Sequence, residues 1–396
     1  MPSPVPDRPG LLIRDPYHYS EVTLLVPPLL VECLQCFDGE QTDIDLRATL
    51  VRLTGDLEVG DVATQLIEML GNSGFLENDA LEQFKQERER QFAAADKRQA
   101  IHAGSAYPNA FEPLRATLNR YLDGQRPESS TDGLIGIAAP HVSPDGGWQT
   151  YRAAYSVMPP AYQDRTFVVL GTSHYGEPER FGLTRKPFVT PLGETVADLR
   201  LVEWLAERAA PAIQMEDYCH SIEHSIEFQV LFLQHLYGAD IRILPVLCGP
   251  YANSIYRGGP PEGNENVHRF LEALGELASR EAGRLFWVLG VDMAHVGRRY
   301  GDSFTARADQ GAMVDVTERD RRRIERLAEG DADGFWNLVQ QNRDDLKWCG
   351  SSPLYTFLKA VPEARGKLLR YEQWNIDEQS VVSFAGMSFS AREPRS

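Results

Sequence analysis

Four short apolar runs, LIGIAAP (134–140), TFVVLGTS (166–173), IRILPVLC (241–248) and RLFWVLGV (284–291), constrain this chain more than any other feature. Each is apolar at consecutive positions, as strands buried on both faces are, and longer helical segments separate them. That alternation predicts an α/β fold with a mainly parallel central sheet flanked by helices. A fifth run, SVVSFAGMSFS (380–390), alternates in character and is expected as an antiparallel strand near an edge. Three of the four central runs lead into histidine-bearing turns, at His141, His174 and His295, with Asp292 three residues before the last. Ligands collect outside the carboxyl ends of strands in open α/β sheets, so these side chains are expected to converge.

The 396 residues exceed what one core usually accommodates. Residues 1–80 read as a small, mostly helical module: a strand or turn at GLLIRDP, an apolar helix near 27–37, and amphipathic helices in DIDLRATLVRLTG and VGDVATQLIEMLGNSGFLE. Residues 81–100 are rich in helix formers with opposite charges four apart, and read as a charged connecting helix. The third segment, 101–396, holds the α/β pattern. Cys33 and Cys36 form CLQC, but Leu29, Leu30, Val31 and Leu34 around them and the lack of a second pair nearby favour an apolar helix over a zinc or redox motif. Cys219 and Cys248 are read as structural.

A formal net charge of −17 argues against a broad nucleic-acid surface, which needs clustered cations. The longest early apolar stretch, VTLLVPPLLVECLQC, is interrupted by Pro27 and Pro28 and falls short of the roughly 20 residues that span a bilayer. No basic segment followed by an apolar run opens the chain, and five scattered cysteines suit a reducing compartment. The expectation is a cytoplasmic protein without membrane or nucleic-acid partners.

Neutral imidazoles ligate transition metals, and a thiolate or carboxylate commonly completes such a site. Cys349 is the candidate to complete this one, because WCGSSPLYTFLKA reads as a turn into a helix and a helix N-terminus lowers a thiol pKa. A thiolate there can bind metal or attack an electrophile. His220 lies four residues before His224 on an expected helix, a spacing that can also make a metal pair.

HAGSAYP (102–108), GIAAPH (136–141), LGTSHYG (170–176), EHSIEFQV (223–230), ILPVLCG (243–249), VDMAH (291–295) and CGSSPL (349–354), in this order, resemble the Memo family, also called AmmeMemoRadiSam system protein B, whose fold is related to class III extradiol dioxygenases. The N-terminal module resembles, more distantly, a PqqD-like or winged-helix module. Carried over, the resemblance implies that His141, His174 and Cys349 hold a metal, iron or copper first and zinc next. It implies that Asp292 and His295 act beside the metal, His295 as general base, and that His224, with Glu223 and Glu227, orients a ligand from behind. It further implies AMMECR-type and radical S-adenosylmethionine proteins as partners.

Two departures stand out. The dioxygenase relatives use a carboxylate where this chain has Cys349, and a thiolate is softer and more easily oxidised. After His141 the family usually has a small residue, Gly and an aromatic, whereas this chain reads VSPDGGWQTY. The expected function is a metal-dependent, dioxygenase-like oxidoreductase acting on a small molecule or modified side chain. The alternatives are a non-catalytic adaptor using the same pocket for a peptide or metal, and cysteine-nucleophile chemistry at Cys349.

Overall fold

The computed structural model describes residues 9–123 and 133–391. The chain forms two compact units, Met1–Ala94 and Ala95–Ser396. The charged stretch forms the helix Asp79–Ala94, which falls within the first unit, and residues 95–100 belong to the second. Arg88 of that helix donates through Nε to the Tyr19 carbonyl at 3.2 Å.

The first unit pairs Leu11–Ile13 antiparallel with Leu24–Val26 and is otherwise helical. Its helix Asp43–Thr54 starts where Thr42 and Asp45 cap each other's backbone, and ends at Gly55, whose φ of 74° suits a residue without Cβ. Leu46, Leu50, Leu66 and Leu70 close a small core on the buried Cys33 and Cys36, which lie in a 3₁₀ turn, Glu32–Cys36. Both thiols are core residues, as their apolar neighbours suggested.

In the second unit the four apolar runs form β1 (Leu134–Ala139), β2 (Thr166–Thr172), β3 (Arg242–Cys248) and β4 (Leu285–Gly290). They lie side by side in the order β1–β4–β2–β3, all parallel. Beyond β1 the sheet turns antiparallel through β5 (His295–Gly297), β6 (Ala364–Asn375) and β7 (Ser380–Ala391). β7 pairs with β1, β5 and β6. At the other margin Phe181–Leu183 pairs antiparallel with β3 and carries Ile213–Met215 beyond it.

Alternate residues of the central strands feed two cores. Val168 and Leu170 pack with Phe270, Leu274, Leu354 and Phe357 of helices Glu265–Arg280 and Ser351–Ala360. Phe167 and Val169 pack on the other face with Leu114, Tyr155 and Phe232 of helices Phe111–Tyr121, Pro144–Tyr155 and Glu227–Tyr237. The fold is therefore α/β with helices on both faces of a mixed sheet.

β7 is antiparallel as expected, but it lies one strand in from the margin, because β5 and β6 cover its outer side. The sequence of β6, ARGKLLRYEQWN, carries charge at Arg365, Lys367, Arg370 and Glu372, as an outer strand does when it must resist pairing with other chains. Its apolar pattern was too sparse to read as a strand. Among the described residues no helix is long and apolar enough to cross a membrane.

Candidate metal centre

The carboxyl ends of β1, β2 and β4 bring the site together. Pro140 leads β1 into His141, whose backbone N–H donates to Asp292 Oδ1 at 2.9 Å, binding the turn after β1 to the turn after β4. His141 Nδ1 lies 2.9 Å from the Gly290 carbonyl. A carbonyl only accepts, so Nδ1 carries the proton and Nε2 keeps its lone pair. Nε2 faces Cys349 Sγ at 3.2 Å and Asp292 Oδ2 at 3.5 Å.

His174 follows β2 and is held in the same manner. Its Nδ1 lies 2.9 Å from Glu223 Oε2, and its backbone N–H donates to Glu223 Oε1. Glu223 is 1% exposed, and both its oxygens meet His174. Nε2 is again the nitrogen turned toward the site, and it binds a metal once its proton is displaced.

The third imidazole is His224. The helix Cys219–Ile222 stops at Glu223, which is extended at φ −73° and ψ 142°, and the next helix begins only at Glu227. His224 sits in this break, its ring 5.0 Å from that of His174 and 5.1 Å from that of His141. One ring nitrogen from each of His141, His174 and His224 falls within 4.8 Å of the others, a grouping fit for one metal ion. His224 was expected behind the ligands; the structure groups its ring with those of His141 and His174.

The break also ends the notion of a His220–His224 pair. His220 is buried on the far side, its Nε2 3.1 Å from the Gly182 carbonyl. Glu227 likewise does not support a metal-facing ring. It is fully buried against Arg98, accepts the Tyr107 hydroxyl, and takes the His102 and Ile101 backbone N–H groups at 3.1 and 3.2 Å.

Cys349 lies in the turn before the helix Ser351–Ala360, as its glycine and proline suggested. Thr172 Oγ1 donates to its carbonyl at 3.0 Å, and Gly350 N–H donates to the Asp292 carbonyl at 3.1 Å, so this turn is fastened to β2 and to the β4 turn. Burial pushes the thiol pKa up, but the neighbouring imidazoles, His141 first and then His174, favour the thiolate and bring the value down to about 7.

His295 Nδ1 lies 3.0 Å from both the Met293 and Lys347 carbonyls, which fixes its proton there and frees Nε2. Its pairing with Val382 across β5 and β7 holds the backbone. Burial lowers the His295 pKa against the opposing pull of Asp292. Burial raises that of Asp292 to about 6, although His295 and the His141 N–H resist it. Burial and then repulsion from His174 and His141 hold His224 well below the usual histidine range. His174 behaves oppositely: burial acts to lower its pKa, yet Glu223, aided by Cys349, holds it well above the ordinary value.

These groups open into a cleft of about 750 Å³, with Tyr175, Phe228, Tyr300 and Trp374 as aromatic walls and Arg299 and Lys347 as cations. His102 also lines it. Its Nε2 is 3.2 Å from the Ile222 carbonyl and its ring meets His224 edge-on at 5.6 Å. Sequence reasoning quoted His102 only within a matching segment; it precedes a helix rather than ending a strand, so the rule that found the other histidines passed over it.

Residues 98–388 match the family described as Memo-like protein. A MEMO1 family protein of Aquifex aeolicus is 28% identical over 383 residues, covering 96% of this chain and 95% of the relative. One from Pyrococcus furiosus is 31% identical over 287 residues, covering 69% of this chain and 91% of its own. A solved structure of an uncharacterized protein from Escherichia coli K12 aligns with a TM-score of 0.42 at 13% identity, covering 64% of this chain and 99% of that one. The match along most of the α/β unit establishes that the chain belongs to the Memo family.

Proposed function

We propose that this protein is a metal-dependent oxidoreductase acting on a small organic molecule in the aromatic-walled cleft. His141, His174 and His224 would hold one transition-metal ion through imidazole nitrogens, with Cys349 adding a thiolate. The observation that carries this reading is the orientation of His141 and His174: each Nδ1 is engaged by a buried acceptor, so each Nε2 is the nitrogen presented inward. Three nitrogens and a soft sulfur suit copper, zinc or iron better than magnesium or calcium, and a redox role favours iron or copper. Such an ion supplies Lewis acidity and a route for electrons.

The protein's own groups supply the proton chemistry. His295, held neutral by burial and with Nε2 free, accepts a proton from a hydroxyl or activated carbon of the bound molecule. Asp292 stabilises the imidazolium that results. Tyr300, whose ring lies 4.9 Å from that of His295, and Trp374 limit water around it. Protein purified without chelators is expected to carry stoichiometric iron, copper or zinc by elemental analysis, and H141A/H174A to lose it. Wild-type protein that neither carries nor takes up these ions on titration overturns the proposal.

One observation favours a second reading. Cys349 Sγ lies 3.2 Å from a His141 nitrogen able to accept its proton, the arrangement of an activated thiol nucleophile. Alkylation of Cys349 that proceeds at the same rate with and without added metal favours this reading over metal ligation.

A further inference from the structure

We propose that Asp320, outside every motif that marks the site, is a positioning residue that fastens the Cys349 turn and the Asp292–His295 turn to one buried carboxylate. Calling it a positioning residue rests on the metal-centre reading, since these are the turns that carry the centre.

Asp320 lies on the helix Ala312–Glu329 and is fully buried. Its Oδ1 accepts the Trp348 indole N–H at 2.7 Å, and Trp348 immediately precedes Cys349. Its Oδ2 accepts the Ser383 hydroxyl at 2.6 Å and the Tyr371 hydroxyl at 2.8 Å. The Ser383 oxygen, its proton spent on Asp320, accepts the Ala294 backbone N–H at 2.8 Å. Ala294 stands between Asp292 and His295. Two short chains of hydrogen bonds therefore run from one carboxylate, through Trp348 to the cysteine turn and through Ser383 to the histidine turn.

The same helix reinforces the first chain. Arg323, one turn further on, donates to Asp344 Oδ1 at 2.9 Å, and Asp344 Oδ2 accepts the Trp348 backbone N–H at 3.0 Å. Trp348 is thus held at both its ring and its backbone. A buried carboxylate is costly to desolvate, and an apolar residue of similar size fills space as well. What the carboxylate offers is lone-pair capacity for three donors arriving from three different segments. Placement of the two turns, rather than packing, accounts for it.

Tyr371 provides the internal control. It comes from β6 and spends a hydrogen bond of the same kind on Asp320, yet leads to neither turn. The full-length, metal-free variants D320N, S383A, W348F and Y371F are compared by two measurements: alkylation of Cys349 against pH, read by peptide mapping, and the NMR titration of the His295 ring, assigned with H295Q. D320N is expected to move both, by about threefold in alkylation rate at pH 7 and about half a unit in midpoint. W348F should move the cysteine readout, S383A the histidine readout, and Y371F neither, even where its melting temperature falls as far as theirs. A Y371F profile shifted like that of D320N, or a D320N profile overlying wild type in both measurements, overturns the proposal. Cobalt(II) titration of the same proteins separates the two levels: absence of binding by wild type counts against the metal centre, while the metal-free readouts still decide the role of Asp320. Where cobalt binds, D320N is expected to weaken it about tenfold.

Discussion

Glu223 holds His174 by two hydrogen bonds at once, one to the ring through Oε2 at 2.9 Å and one to the backbone N–H through Oε1. The carboxylate both aims the imidazole and makes it a stronger donor. E223Q retains the shape and removes the charge, and is expected to weaken metal binding about ten- to a hundredfold, measured by competition with a chromophoric chelator. In the metal-free protein the charged His174 ring also contributes to folding. Its folded pKa is raised, so this contribution is complete below the unfolded value of about 6.5 and is lost as pH rises through the higher folded value. The melting-temperature gap between wild type and E223Q should therefore narrow as the solution becomes alkaline.

Asp292 should show a pH dependence of the opposite practical consequence. Burial raises its pKa to about 6 in the folded protein, above the unfolded value, so the folded state favours the protonated form. That advantage is complete below the unfolded value near 4 and is lost as pH rises through 6, leaving an ionised, buried carboxylate at neutrality. D292N keeps an oxygen for the His141 N–H. Without metal it is expected to be more stable than wild type at pH 7.5, by about 1–3 kcal/mol in denaturant unfolding, and no more stable at pH 4.

Cys349 is the thiol that should react first. Cys33, Cys36, Cys219 and Cys248 are buried, whereas Cys349 is partly exposed and has a pKa of about 7. Iodoacetamide labelling in metal-free protein should rise through a midpoint near pH 7, since the thiolate is the nucleophile. H141A removes the largest opposing influence and should move the midpoint upward. Added zinc should protect the thiol.

Much of this site was legible because four of its side chains follow three of the central strands. His141, His174 and the Asp292–His295 pair follow apolar runs, and the parallel sheet carries them to one margin. His224 was harder to place. Its spacing from His220 suggested one helix face, but the backbone extends at Glu223, and a four-residue interruption of that sort has no strong sequence signature. The resemblance implied Glu227 beside His224, whereas its partner Arg98 lies in the stretch read as a connector. Local pattern could not show a contact so distant along the chain.

Arg98 gives a prediction from that contact. It is fully buried against Glu227 and donates to the His220 and Glu223 carbonyls at 2.8 and 2.7 Å, pinning both sides of the break that exposes His224. R98M leaves the Glu227 charge buried without its cation and should cost about 3–5 kcal/mol of stability. R98M/E227Q should recover part of that loss in denaturant unfolding. It should not recover metal affinity, because the Glu223 carbonyl stays unheld.

Two glycines have a purpose that only the fold reveals. Gly171 of β2 and Gly290 of β4 are directly paired across the sheet. A Cβ on Gly171 would lie 2.5 Å from Ser225 Oγ and 2.7 Å from Ile226 Cγ1, and one on Gly290 would run into the Ser225 carbonyl. The missing side chains let the segment after His224 settle onto the sheet, where Ser225 Oγ donates to the Thr172 carbonyl at 2.8 Å. An alanine at Gly290 must lift that segment, because the obstacle there is backbone, and one at Gly171 must displace the Ser225 and Ile226 side chains that seat it. G171A and G290A are each expected to cost about 1–3 kcal/mol in denaturant unfolding. Both should also weaken metal binding, since His224 moves away from His141 and His174. An alanine at Gly136, which meets Trp287 on the neighbouring strand instead, should destabilise the sheet while leaving metal affinity in the surviving folded protein close to wild type. Lifting of His224, rather than general loosening of the strands, is what the contrast between these variants measures.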